Sequence, residues 1–288
     1  MTDRQKRMIA GLALGVLISL FIHLGTRREG TVLTNLLDRY EYQSYDARMR
    51  ARSGNAEEAS IDDVVIIDIE QNSVVTLGNY HQWPHAYHGQ LIDVVSSGNP
   101  KALIFDIIFD PKTSDTYNLV ESLSWNQANS LPEVKTAADQ FLVSHDPGRF
   151  IWSTSQSAVT HHALVFEAED SLNFLYAMDA VPPGYDAAKH TIKVSSEIAN
   201  QLPEAARLGN TYLELLNNTA GAGSANFPLD EDGIIRRAPT AVHFKGSGEV
   251  FLSLTLSAVK DILGIATDGF DYDFDEGLLR LTDTSGVV

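Results

Sequence analysis

DDVVIIDIEQNSVVTLGNYHQWPHAYHGQLIDVV (residues 62–95) and KALIFDIIFDP (residues 101–111) together decide the fold. Residues 64–69 (VVIIDI) and 102–109 (ALIFDIIF) are short, continuous apolar runs, the pattern of strands buried on both faces. Between them Pro84 suits the first turn of a helix, Tyr87, Leu91, Ile92 and Val95 supply its inner face, and Ser96-Ser97-Gly98 stop it. Strand, helix, strand is the unit of a right-handed crossover between parallel strands. The expected class is therefore α/β, with a mixed, partly parallel sheet flanked by helices.

In such sheets ligands bind outside the carboxyl ends of the strands. One such end carries Asp68 and Glu70, and the neighbouring one carries Asp106 and Asp110. Converging carboxylates could hold a hard cation or a catalytic water. Against that, acidic residues near strand ends also cap turns or pair with cations such as Lys101, Arg236 and Arg237, and no HxH or HExxH spacing accompanies them. Structural roles take precedence over a metal, and no cofactor is expected.

Upstream of this unit, Arg4, Lys6 and Arg7 precede an apolar run that opens at Met8 and closes at Leu24, before Arg27, Arg28 and Glu29. As a helix it covers ~26 Å, at the short end of what a bilayer core requires. No small-x-small cleavage site follows it, so it reads as a signal anchor rather than a cleaved signal peptide. The division expected is a cytoplasmic N-terminus over residues 1–7, a transmembrane helix over 8–25, and an extracytoplasmic domain over 26–288. Residues 31–52 carry Leu33, Leu36, Leu37, Tyr40 and Met49 mostly at three- and four-residue steps, an amphipathic helix leaving the membrane.

The formal net charge is −17, yet residues 1–54 hold nine Lys/Arg against five Asp/Glu, so the acid lies in the body of the chain. Such a body repels phosphate backbones, which excludes a nucleic-acid partner. The chain has no cysteine, hence no disulfide framework, thiolate zinc site or thiol nucleophile. It also lacks the GxSxG elbow, the GxxxxGK[ST] loop and the GxGxxG fingerprint.

Downstream, residues 131–143 read as a helix, 150–153 as a strand, and Pro182-Pro183-Gly184 as a turn within an insertion. Asp232-Gly233 marks a turn, 240–244 a strand, and 251–263 an apolar helix. The histidines at 81, 85 and 88 read as solvated surface rather than a zinc site, since no fourth ligand accompanies them. His161 and His162 are neighbours on an extended chain and face opposite ways. LDEDG (229–233) begins like a calcium loop but lacks the later acidic ligands, which leaves a hairpin turn.

Four blocks of this sequence resemble the second type of CHASE domain, the extracellular sensor of bacterial adenylate cyclases, histidine kinases and serine/threonine kinases. They are YDARMRAR (45–52), residues 62–95, KALIFDIIFDP (101–111) and NFPLDEDGIIRRAPTAVHFKGSGEVFLSLTLSAV (226–259). The chain departs from the family where Trp83-Pro84-His85 stands in place of a frequent Trp-Pro-Arg. The resemblance implies a sensor that reads an unknown small-molecule or environmental signal, works as a homodimer, and governs a cyclase or kinase effector lying outside this chain. It is not itself an enzyme on this reading. The candidate ligand-binding residues are Asp68, Glu70, Trp83, Asp106, Asp110 and Arg236. Two other classes compete: an anchored metal-dependent hydrolase using Asp68, Glu70, Asp106 and Asp110 with His85 or His88, and an envelope assembly module.

Overall fold

A computed structural model of the chain describes residues 2–26, 32–55, 63–109, 119–122, 132–167, 178–209, 212–230, 232–283 and 286–287. It divides into two units, residues 1–69 and 70–288.

The first unit holds two helices of 24 residues each, α1 (Asp3–Thr26) and α2 (Val32–Asn55). On α1 the side chains of Val16, Leu17 and Ile18 are all exposed, as are Ile9, Leu12, Leu14, Leu20 and Ile22. Successive residues on a helix point about 100° apart, so this helix shows apolar surface on every side. Among the described residues no helix is long and apolar enough to cross a membrane; the side chains of Met8, Phe21 and Leu24 lie outside that set. The expected amphipathic helix is present as α2, although Leu37, Tyr40 and Met49 on it are exposed.

Residues 64–69 depart from expectation. They are extended, but no ladder among the described residues includes them, and Ile66 is 85% exposed. β-Branched side chains favour extended backbone, whereas a strand also needs a partner for its N–H and C=O groups.

The second unit begins with α3 (Gln71–Leu77), a 3₁₀ turn (Tyr80–Gln82) and α4 (His85–Ser96). Pro84 is the residue before α4 and Ser97 caps its end, close to the expected bounds. Then come β1 (Leu103–Phe105), α5 (Pro132–Ser144), α6 (Gly148–Gln156), β2 (Thr160–Leu164) and β3 (Phe166–Glu167). The expected strand at 150–153 is thus a helix, because Phe150, Ser153 and Thr154 bury at helical spacing. β4 (Thr191–Ile192), β5 (Glu204–Ala205), β6 (Arg207–Leu208), α7 (Leu213–Asn218) and β7 (Gly221–Ser224) follow. The chain continues through β8 (Ala241–Phe244), β9 (Glu249–Leu252), α8 (Leu254–Leu263), β10 (Phe270–Asp273), β11 (Leu278–Asp283) and β12 (Gly286–Val287).

The parallel sheet runs in the order β1-β2-β7. Its crossovers are the segments carrying α5–α6 and α7, not a crossover from residues 64–69 to β1. A second sheet, β4-β9-β8-β5, is antiparallel except for its β5–β8 edge. The molecule is therefore mixed α/β, as the sequence indicated, with a different strand at the start of the parallel sheet. Ile92, Phe105, Phe109, Phe150, Tyr212 and Leu215 form the core beneath α4 and α6. α8 begins at Ser253, whose hydroxyl accepts the Leu256 N–H at 3.3 Å, and it packs against β7 and β2.

Candidate functional site

The carboxylates singled out by the sequence are not assembled into a site among the described residues. Asp68 is exposed in the first unit; in the second unit Glu70 is exposed ahead of α3, and Asp106 is exposed just past β1. Asp110 lies outside the described residues. No group of three or more His, Asp or Glu side chains there is placed to hold a metal ion.

Arg236 has a different task from open ligand contact. Its side chain is 4% exposed and pairs with Asp230 at 3.0 Å and Asp232 at 2.8 Å. Asp232 also accepts the Ile234 N–H at 3.2 Å, and Gly233 takes a φ of 79°, which closes the LDEDG segment as the expected turn. The Asp232 carboxyl titrates below its ordinary value, chiefly through the hydrogen bond from Arg236. Trp83, half-buried, donates its indole N–H to the Gly78 carbonyl at 2.9 Å and meets Tyr80 edge-on at 5.3 Å. That bond places the Trp-Pro pair at the entrance to α4.

The structure concentrates its ionisable chemistry one layer deeper. His85 and His88, three apart on α4, both point inward toward Phe109 and Phe150; only His81 stays exposed, so the surface reading fails for the other two. The physical reason is helix periodicity, since packing α4 on the sheet turns one face inward. His162 of β2 stacks on Phe105 at 5.1 Å with an interplanar angle of 14° and meets Phe150 edge-on at 5.5 Å. Burial pushes His88 down to about 4, helped by His85, and pushes His162 down to about 3, helped by His161, His88 and His190. Both rings are neutral in this packing.

His161 and His162 do face opposite ways. His161, 1% exposed, meets α8: its Nδ1 lies 3.0 Å from the Val159 carbonyl and its Nε2 lies 2.9 Å from Asp261 Oδ2. Both neighbours are acceptors, so the ring satisfies the two only when it carries two N–H groups. Burial raises Asp261, but hydrogen bonds from His161 and Lys260 outweigh it and hold the carboxyl below its ordinary value. Sequence reasoning predicted the opposed directions of these two rings, but not Asp261 as the partner, one hundred residues away.

The second unit is mixed α/β with ionisable rings set into an aromatic layer, and it follows an N-terminal unit of two helices. The chain belongs to the CHASE2 domain family, whose model matches residues 15–285. CHASE2 domains are sensory domains of signalling proteins. No curated protein and no solved structure matches the chain.

Proposed function

We propose that this chain is the extracytoplasmic sensory module of a bacterial transmembrane signalling protein, governing a cytoplasmic cyclase or kinase effector outside the chain and working as a homodimer. The observation that carries the reading is the family match itself, which starts at residue 15, inside α1, and so includes part of the apolar helix along with the α/β unit. α1 sits in the membrane on this reading: its apolar side chains are exposed on every side, and Arg4, Lys6 and Arg7 hold its start on the cytoplasmic face. α2 then carries changes of state in the second unit back toward the bilayer.

The absence of native cysteine makes topology directly testable. Ser247→Cys, in the exposed turn between β8 and β9, is expected to react with a membrane-impermeant maleimide on intact cells, and Thr2→Cys only after lysis. Labelling of Ser247→Cys only after lysis would overturn the extracytoplasmic placement. Glu70, Trp83 and Asp106 are the candidate ligand contacts of the second unit, each to be tested on its own, while Asp68 and Asp110 are candidates from the sequence alone. Asp106→Ala is expected to change effector output in the full signalling protein while leaving the fold intact; an unchanged response would remove Asp106 from the ligand site.

A further inference from the structure

His88 and His162 lie in the layer that α4 and α6 make on the parallel sheet, and among the described residues neither has a charge partner there. His162 Nε2 lies 3.5 Å from Thr154 Oγ1 of α6, too long for a good hydrogen bond. Its Nδ1 is buried with no partner. An imidazolium in that place would have two donors and, among the described residues, no carboxylate to meet them.

The groups facing the two rings come from every element around them. α4 contributes His85, and the turn before it contributes Tyr80 and Trp83. β1 contributes Phe105, and α6 contributes Phe150 and Thr154. The charges acting on His162 are those of His161, His88 and His190, all imidazoles. The carboxylates nearby are committed elsewhere: Asp261 to His161, and Asp93 of α4 to Arg149 of α6.

We propose that this layer is the domain's proton-reading site, in which acid releases α4 and α6 from the parallel sheet by charging His88 and His162. The inference names the stimulus for the sensory function proposed above and rests on that reading.

The sign follows from burial. Both rings have depressed pKa values, to about 4 and about 3, against an ordinary 6.5. Their stabilising contribution is complete above the ordinary value and is lost as pH falls toward those depressed values, because the opened form takes up protons first. With closed-form rings neutral and opened-form rings titrating at ~6.5, going from about pH 7.5 to about pH 5 favours opening ~30-fold per ring, or ~10³-fold for the two.

The test is amide hydrogen exchange on the full chain in lipid nanodiscs over that pH range, read as protection factors corrected for intrinsic exchange. Protection of α4 and α6 is expected to fall ~10³-fold in the wild type and to stay within a few-fold in the His88→Phe/His162→Phe variant, which keeps the aromatic packing but cannot titrate. Should the Phe pair fail to fold, His88→Gln/His162→Gln provides neutral rotor-length side chains for the same comparison. Constant wild-type protection, or an equal acid loss in the variants, would overturn the proton site. Acid opening by exchange together with identical effector output from the intact signalling protein at both pH values would instead leave the proton site standing and overturn the sensory reading.

Discussion

Gly221→Ala probes the seam where β7, β2 and α8 meet. A Cβ there would press on His161 Cδ2 and stand 2.7 Å from its Nε2 and 2.9 Å from Ser257 Oγ. Non-bonded carbon contacts settle near ~3.5–4.0 Å, so the methyl needs roughly 1 Å that the site does not have. The ring can retreat only by giving up the 2.9 Å bond from Nε2 to Asp261. Overpacking costs about 1–3 kcal/mol and loss of a hydrogen bond to a charged group about 1.5–3 kcal/mol. With Asp261 partly open to solvent, the lower parts of both ranges apply, and the expected loss is about 3 kcal/mol. For a chain of this size that is a Tm lower by roughly 5 °C.

The specific test is a double-mutant cycle. His161→Ala removes the ring and its bond and creates room for the methyl, so Gly221→Ala made in that background is expected to cost less than about 1 kcal/mol. Urea unfolding in mild detergent, followed by circular dichroism, gives all four free energies, and the coupling should reach about 2 kcal/mol. Additivity within about 0.5 kcal/mol would refute the claim that the glycine exists to seat this ring.

Three further outcomes follow from the same packing. Phe150→Ala, which empties a fully buried position between α4 and the sheet, should cost about 3–5 kcal/mol in the same unfolding assay at neutral pH. Ser253→Ala removes the N-cap of α8 and should cost about 1 kcal/mol, whereas Ser253→Asp should restore most of it. Arg236→Ala takes away the cation that draws in Asp230 and Asp232, so limited proteolysis between residues 229 and 237 should accelerate while the core of the unit resists cleavage.

The sequence exposed those elements whose side chains repeat at a single period. α4 could be read because Pro84, Leu91, Ile92 and Ser97 mark its start, face and end, and β1 and the Asp232-Gly233 turn were legible for similar local reasons. Residues 64–69 have the composition of a strand, but composition does not supply a ladder partner. Residues 150–153 were misread because a four-residue window of Phe, Ile, Trp and Ser fits both periods, and only the burial of Phe150, Ser153 and Thr154 distinguishes them. β2 and β7 were hidden for opposite reasons. THHAL buries all five residues, including polar ones, on both faces. GAGS looks like a loop, yet Gly223 is small because a Cβ there would come within 2.6–2.7 Å of the Ser253–Leu254 backbone. The imidazole layer combines residues 85, 88 and 162, and their proximity is a product of strand order, which no local pattern encodes.

Adjacent placement of His161 and His162 on β2 also constrains how the sheet can form. A slip of one residue along β1 or β7 would leave an imidazole in only one of the two places, bringing Ala163 into the aromatic layer in one direction and Thr160 opposite Asp261 in the other. The five-residue strand thus carries a check on its own alignment: whichever way it slips, one of its two faces loses its imidazole.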